Sequence, residues 1–390
     1  MKLLFLTPRF PWPLLRGDQL RAFEQLRLLS ARHRLTLVCF EEGPPSAEGR
    51  AAVAALCERV VAVPLTRAAM AAGLVRGALS PLPFQASLYR HRRMGRALRD
   101  ALAAGPFDLV HVQLARMARY VEPLRATRFV DLVDALSLST RRRSEQHRGP
   151  RRWLTGLEAT RLLRYERRLC ETLEGACVAS SVDRDAIGSF PRLGVAPNGV
   201  DLAALPFVPG GREPRTLVFT GNMGYFSNVN AVLWFVDEVF PRVRERVPEC
   251  RFEIVGTRPS PAVRALASRE GVSVLGFVPD LRAHLRRAAV AVAPMRAGAG
   301  QQFKVLEAMA SGTPVVATPV AAAGLLPEPD CLLVAEGPEA FAEAVVSLLQ
   351  DPARAERVAR RARRFVEERY TWERSTALLE EQYEAARGRR

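Results

Sequence analysis

At 390 residues the chain is long enough for two domains, each with its own core. Its 48% hydrophobic and 25% charged residues exclude a disordered or fibrous class, and it has no apolar run of roughly eighteen residues to span a membrane. The formal net charge of +16 favours anionic partners: nucleotide phosphates, nucleic acid or an anionic membrane surface. Basic residues are spread along amphipathic segments, with only short clusters at residues 141–143 and 360–364. Few aromatics accompany them and no nucleic-acid module is recognisable, so no nucleic-acid partner is expected. A general Arg bias explains the same charge without any partner. Six cysteines, at 39, 57, 170, 177, 250 and 331, form no C-x-x-C pair. Zinc and redox motifs are therefore absent, and the reading is reduced, buried thiols in a cytosol. The apolar run at residues 3–6 is broken by Pro8 and Arg9, too short for a signal peptide.

Residues 2–7 read as a buried strand, and a Pro-rich loop follows. Gly17 and Asp18 open an amphipathic helix over residues 19–31, and residues 34–40 are a second strand. Strand, Gly-containing loop, helix and strand make one βαβ unit, which argues a parallel sheet. Gly17 with Arg21 one turn later is a weak anion-facing loop, or an ordinary helix start capped by Asp18. Helix is read at residues 47–58, strand at 59–65, Arg- and Ala-rich helix at 67–105, and strands at 107–113 and 128–134. Asp134 ends a parallel strand, where open α/β sheets bind ligands; a cap for the next helix is the alternative. His111, mid-strand, reads as a core histidine. A long basic helix occupies residues 153–173, with strands at 175–181 and 193–197.

Pro and Gly mark residues 206–214 as a linker. Strand 215–220 then runs into the loop Gly221-Asn222-Met223-Gly224-Tyr225-Phe226-Ser227-Asn228, followed by a helix over 229–246. Asn222 and Asn228 are neutral hydrogen-bonding groups on that loop. Further strands are read at residues 250–256 and 272–277, and helices at 261–270 and 281–288. Strand 290–294 enters a Gly-rich loop with Gly298 and Gly300, and helix 302–310 follows. Gly312 stops that helix and strand 314–318 begins. A Gly-rich loop feeding a helix N-terminus stabilises anions, phosphate above all. Arg296 and Lys304 flank it, and Glu307 shares a helix face with Lys304. Among 57 Lys plus Arg only two are lysines, Lys2 and Lys304. A compact ammonium retained in an Arg-rich chain suits a phosphate oxygen. Strand 331–335 and helices 339–349, 353–370 and 372–386 complete the chain.

From Arg296 to Thr318 the chain meets every fixed position of R-x-G-x-G-x-x-x-K-x-L-E-A-M-A-x-G-x-P-V-V-A-T. This segment resembles the donor-binding segment of family 4 glycosyltransferases, which have the GT-B fold. The subgroup it resembles contains sugar transferases of bacterial exopolysaccharide and exosortase-associated systems. The likeness covers nearly the whole chain and is weakest between about residues 47 and 124. It implies an α/β fold of two Rossmann-like domains with parallel sheets facing a central cleft. Residues 1–205 would form the acceptor domain, with 372–390 packing back on it, and residues 206–371 the nucleotide-sugar domain. Arg296, Lys304 and the amides of Gly298, Ala299 and Gly300 would hold the donor diphosphate, and Glu307 the ribose. Gly221, Asn222 and Asn228 would add contacts, and the backbone at Phe277 and Val278 would read the base. Asp134 would contact acceptor or act as base, and the Gly17–Arg21 loop would approach from the other domain. Many members have a glutamate where Ala299 stands, which removes a contact to the donor sugar. Residues 198–201 match the family's N-G-V-D turn at the domain junction. Asp183 and Asp185 formally match the D-x-D of another glycosyltransferase fold, but at a helix start, where acids favour the dipole.

The resemblance implies a transferase that moves a sugar from a nucleotide-diphosphate donor to a glycan or lipid-linked acceptor. Retention of configuration, no metal and no cofactor are implied too. Surface polysaccharide synthesis in the bacterial cytoplasm, peripheral to the inner face of the plasma membrane, is the expected setting. A GT-B-fold epimerase, which needs extra cleft acids and histidines, and a catalytically silent nucleotide-sugar-binding protein are the alternatives.

Overall fold

The computed structural model describes all residues except 67–69, 72, 74–76, 78, 79, 208, 209 and 390. Nine residues of the expected helix over 67–105 lie outside the described residues; its later part is two helices, Phe84–Leu88 and Arg92–Ala103. The chain divides into two compact units, Met1–Pro197 with Trp372–Arg390, and Asn198–Thr371. The exchange falls at Pro197/Asn198, ahead of the Pro- and Gly-rich stretch read as linker.

The first unit holds strands β1 (Lys2–Thr7), β2 (Arg34–Glu41), β3 (Arg59–Pro64), β4 (Leu109–Gln113), β5 (Arg128–Val133), β6 (Gly175–Val178) and β7 (Leu193–Val195). They form one parallel sheet in the order β3-β2-β1-β4-β5-β6-β7. Central strands are apolar on both faces because helices cover both, as parallel sheets require. Helix Trp372–Arg387 contributes Leu379, Tyr383 and Ala386, all fully buried, to this unit's core. Tyr383 pairs with His111 Nδ1 at 2.7 Å, and the imidazole stacks on Phe5 at 4.3 Å. Burial pushes His111 down to about 4, so it is a neutral core residue.

The second unit holds β8 (Glu213–Thr220), β9 (Arg251–Val255), β10 (Val272–Gly276), β11 (Ala288–Ala293), β12 (Val315–Ala317) and β13 (Leu333–Val334). All are parallel, in the order β10-β9-β8-β11-β12-β13. Strand order reverses at β8/β11, so the loops after these strands diverge and leave a crevice at their C-terminal ends. The helix expected over 229–246 is instead three pieces, Phe226–Trp234, a π turn at Phe235–Val239, and Phe240–Arg246. Pro241 is the cause: it has no N–H and its ring crowds the preceding turn's carbonyl.

Candidate functional site

The crevice at β8/β11 collects most of the donor-side residues named from the sequence. After β11 the chain crosses residues 294–302 and enters helix Phe303–Ala310. Two glycines shape the crossing: Gly298 at φ +139 and Gly300 at φ +69 lie where L side chains are strained. The loop is anchored from both sides. Thr318 Oγ1 donates to Met295 O at 2.5 Å, and buried Gln301 accepts the Asn198 N–H at 2.6 Å through Oε1. A Cβ at Gly324 would lie 2.2 Å from Gly300 O, so that approach requires glycine.

Lys304, in the first turn of the helix, reaches back over β8. Its Nζ donates to Asn228 Oδ1 and lies 3.6 Å from Met295 Sδ and 4.2 Å from the Phe219 ring centroid. Asn228 Nδ2 donates to Asn222 O at 2.8 Å, and Asn222 Oδ1 accepts the Gly224 N–H at 2.9 Å. A Cβ on Gly221 would meet Asn228 at 2.8 Å and Lys304 Nζ at 3.3 Å. Lys304, Asn228, Asn222 and Gly221 therefore form one polar cluster with a bare backbone at its centre. Burial pushes the Lys304 ammonium down to about 7, opposed by Glu307. Burial pushes Glu307 up to about 7, opposed by Arg282 and Lys304. Each is thus poised to change charge when a charged ligand replaces water.

The structure does not bring every named residue to this cluster. Arg296 is exposed, its guanidinium 5.8 Å from the Trp234 ring centroid. Ala299 is half-buried in the loop. Phe277 is 65% exposed just past β10, while Val278 packs on the unit's core.

In the first unit Asp134 is half-buried at the end of β5, after Val133 at φ +64. Helix Leu136–Glu145 has Ala135 at its N-cap with no side-chain cap bond, so Asp134 is not a cap. Burial, reinforced by Asp183 and Asp131 and opposed by Arg21, holds its carboxyl well above the ordinary range. Arg21 corrects the expectation of an anion-facing cation. Its side chain is fully buried, with Nε donating to Asp131 at 2.6 Å and Nη2 donating to Ala196 O at 2.9 Å. An ion pair sealed by carbonyls leaves no open donor for a ligand. Gly17 is the first residue of helix Gly17–Leu29, whose N-cap, Arg16, makes no side-chain cap bond; Asp18 instead pairs with Arg9. Asp183 accepts the Ala135 N–H at 3.0 Å, while Asp185 is exposed and paired with Arg184. Among the described residues no group of three His, Cys, Asp or Glu side chains is placed to hold a metal ion. The sequence reading missed Asp131, the partner that buries Arg21, and the Met295 and Phe219 walls around Lys304. Asp131 and Phe219 read as ordinary strand residues, and Met295 as an apolar residue just past a strand.

Residues 214–351 match the family model described as "Glycosyl transferases group 1". A phosphatidyl-myo-inositol mannosyltransferase of Mycolicibacterium smegmatis is 28% identical over 335 residues, covering 80% of this chain and 81% of that protein. A sucrose-phosphate synthase from Thermosynechococcus elongatus superposes with a TM-score of 0.73 at 17% identity, over 98% of both chains. The Anabaena HepE protein in complex with UDP-glucose gives a TM-score of 0.67 at 14% identity, again over 98% of both. Residues 214–351 thus make a domain of the glycosyl transferases group 1 type, and the whole chain has the GT-B fold of these solved structures.

Proposed function

We propose that the chain transfers a sugar from a nucleotide-diphosphate donor to a glycan or lipid-linked acceptor, with retention, in surface polysaccharide synthesis. The observation that carries this reading is the cluster at the β8/β11 crevice: one half-buried ammonium, Lys304, set over a glycine loop beside a helix N-terminus. As the glycosidic bond breaks, the diphosphate gains charge, and Lys304, Arg296 and the loop amides of Gly298, Ala299 and Gly300 stabilise it. These cations serve where a divalent ion serves at other diphosphates, so the proposed reaction needs neither metal nor cofactor. Glu307 receives the ribose hydroxyls, Gly221, Asn222 and Asn228 add polar contacts, and Phe277 and Val278 flank the base. Asp134, with its raised carboxyl, is the proposed acceptor-side group. That the Anabaena protein holds UDP-glucose, and that the mannosyltransferase is named for a lipid-linked inositol, supports this choice of donor and acceptor classes. The proposed location is the cytoplasm, peripheral to an anionic membrane.

The test is steady-state kinetics with a donor panel. Lys304→Ala is expected to lower kcat as well as raise KM for donor. A charge-assisted contact contributes about 1.5–3 kcal/mol, so the combined loss should be at least about tenfold. Glu307→Gln should act mainly on KM, because the ribose does not change during the chemistry. Wild-type kcat/KM in Lys304→Ala with every donor that binds would defeat the phosphate role.

A further inference from the structure

We infer that Arg258 is a further donor-binding residue, a cation for the diphosphate at the outer rim of the same crevice. The inference rests on the proposed nucleotide-diphosphate reading. It starts from a shortage of charge. The β8 loop, residues 221–228, holds no Arg or Lys, and Lys304 sits at its inner end. A diphosphate that passes along this loop meets no cation at the outer end from the loop itself.

The neighbouring strand supplies one. The loops after β8 and β9 are tied together: Met223 N–H donates to Thr257 O at 2.8 Å, and Gly221 N–H donates to Val255 O at 3.0 Å. A Cβ on Gly256 would lie 1.7 Å from Gly221 O, so the two backbones touch where only glycine fits. Arg258 follows two residues later. Its stem lies along the β8 loop, its Cβ 3.6 Å and Cδ 3.7 Å from where a Cβ on Gly224 would be. The side chain is exposed and, among the described residues, makes no hydrogen bond or ion pair. Its backbone is at φ +57, a conformation that glycine adopts freely and arginine does not. Arg215, also at positive φ, is ion-paired with Glu249, so the protein gives that arginine a partner and leaves Arg258 without one. A strained, unpartnered cation at the C-terminal edge of a parallel sheet is what a ligand-binding role leaves behind when no folding role explains the residue.

The experiment measures Tm and calorimetric affinity for UDP, GDP and ADP and their monophosphates, in wild type, Arg258→Gly, Arg258→Lys and Lys304→Ala. Arg258→Gly should raise Tm by about 2–4 °C, because it relieves the backbone. It should weaken the diphosphate that binds wild type by about tenfold or more and leave the monophosphate within about threefold. Arg258→Lys should recover part of the loss. Unchanged diphosphate affinity in Arg258→Gly, with Lys304→Ala weakened, would overturn the inference and leave the proposed function standing. A fall in Tm with unchanged affinity would assign Arg258 a purely structural stem and overturn it as well. Failure of wild type to bind any of the three diphosphates would overturn both.

Discussion

Lys304 carries its charge conditionally. In the unliganded crevice its pKa is lowered to about 7 by burial, so the ammonium is present below that pH and lost above it. A diphosphate beside it favours the charged form and raises the pKa of the complex. Between the two values, binding takes up a proton, and affinity falls by up to about tenfold per pH unit. Glu307 sets the opposite limb: raised to about 7, it is a carboxylate only above that pH. Donor affinity measured calorimetrically from pH 6 to 9 should therefore peak near neutrality. Lys304→Arg, whose guanidinium stays charged, should flatten the basic limb while leaving the acid limb. Affinity that is level from pH 7 to 9 in the wild type would mean the Lys304 proton is not in play.

The crevice depends on elements brought to backbone contact by glycine. Gly256 and Gly221 join the β8 and β9 loops, and Gly324 and Gly300 join the loop after β11 to the segment after β12. A methyl at Gly256 would fall 1.7 Å from a carbonyl oxygen, which no rotamer change relieves. Gly256→Ala is expected to destabilise the protein by about 2–4 kcal/mol and to weaken donor binding, since the β8 loop must move to admit it. Chemical denaturation and donor titration would check both; a variant as stable as wild type would show that the loops separate freely. Gly298→Ala tests a different property, because nothing lies within 3.4 Å of its Cβ but its φ of +139 is strained for any side chain.

At the scale of the molecule, charge of +16 meets an exposed apolar pair. The start of helix Pro150–Thr172 exposes Trp153 by 69% and Leu154 by 50%, directly after exposed Arg148, Arg151 and Arg152. Helix Arg92–Ala103 adds exposed Arg92, Arg93, Arg96 and Arg99. Trp beside Arg is the pairing that settles at a lipid headgroup boundary. No helix among the described residues is long and apolar enough to cross a membrane; the proposed association is at the membrane surface. Co-sedimentation with phosphatidylserine-containing vesicles should be lost as salt rises. It should also fall several-fold in a Trp153→Ala, Leu154→Ala double variant. Binding that is absent, or indifferent to salt, would rule out this electrostatic mode.

The order of strands and helices was legible along the chain because the parallel strands are continuous apolar runs and the loops after them are marked by glycine. The glycine-loop segment was legible for the same reason: Lys304, Glu307, Gly298 and Gly300 lie within one short stretch whose spacing is a helix turn and a loop. Contacts across the sheet were not. Arg21 looked like a surface cation because its partner, Asp131, is on another strand more than a hundred residues away, and only the packed sheet brings them to 2.6 Å. Arg258 carried no signal at all, since nothing in its local sequence marks an arginine at φ +57. Sequence determined which residues could bear charge; tertiary structure decided which of them are buried in pairs and which stand open, because burial and pairing are set by neighbours distant along the chain.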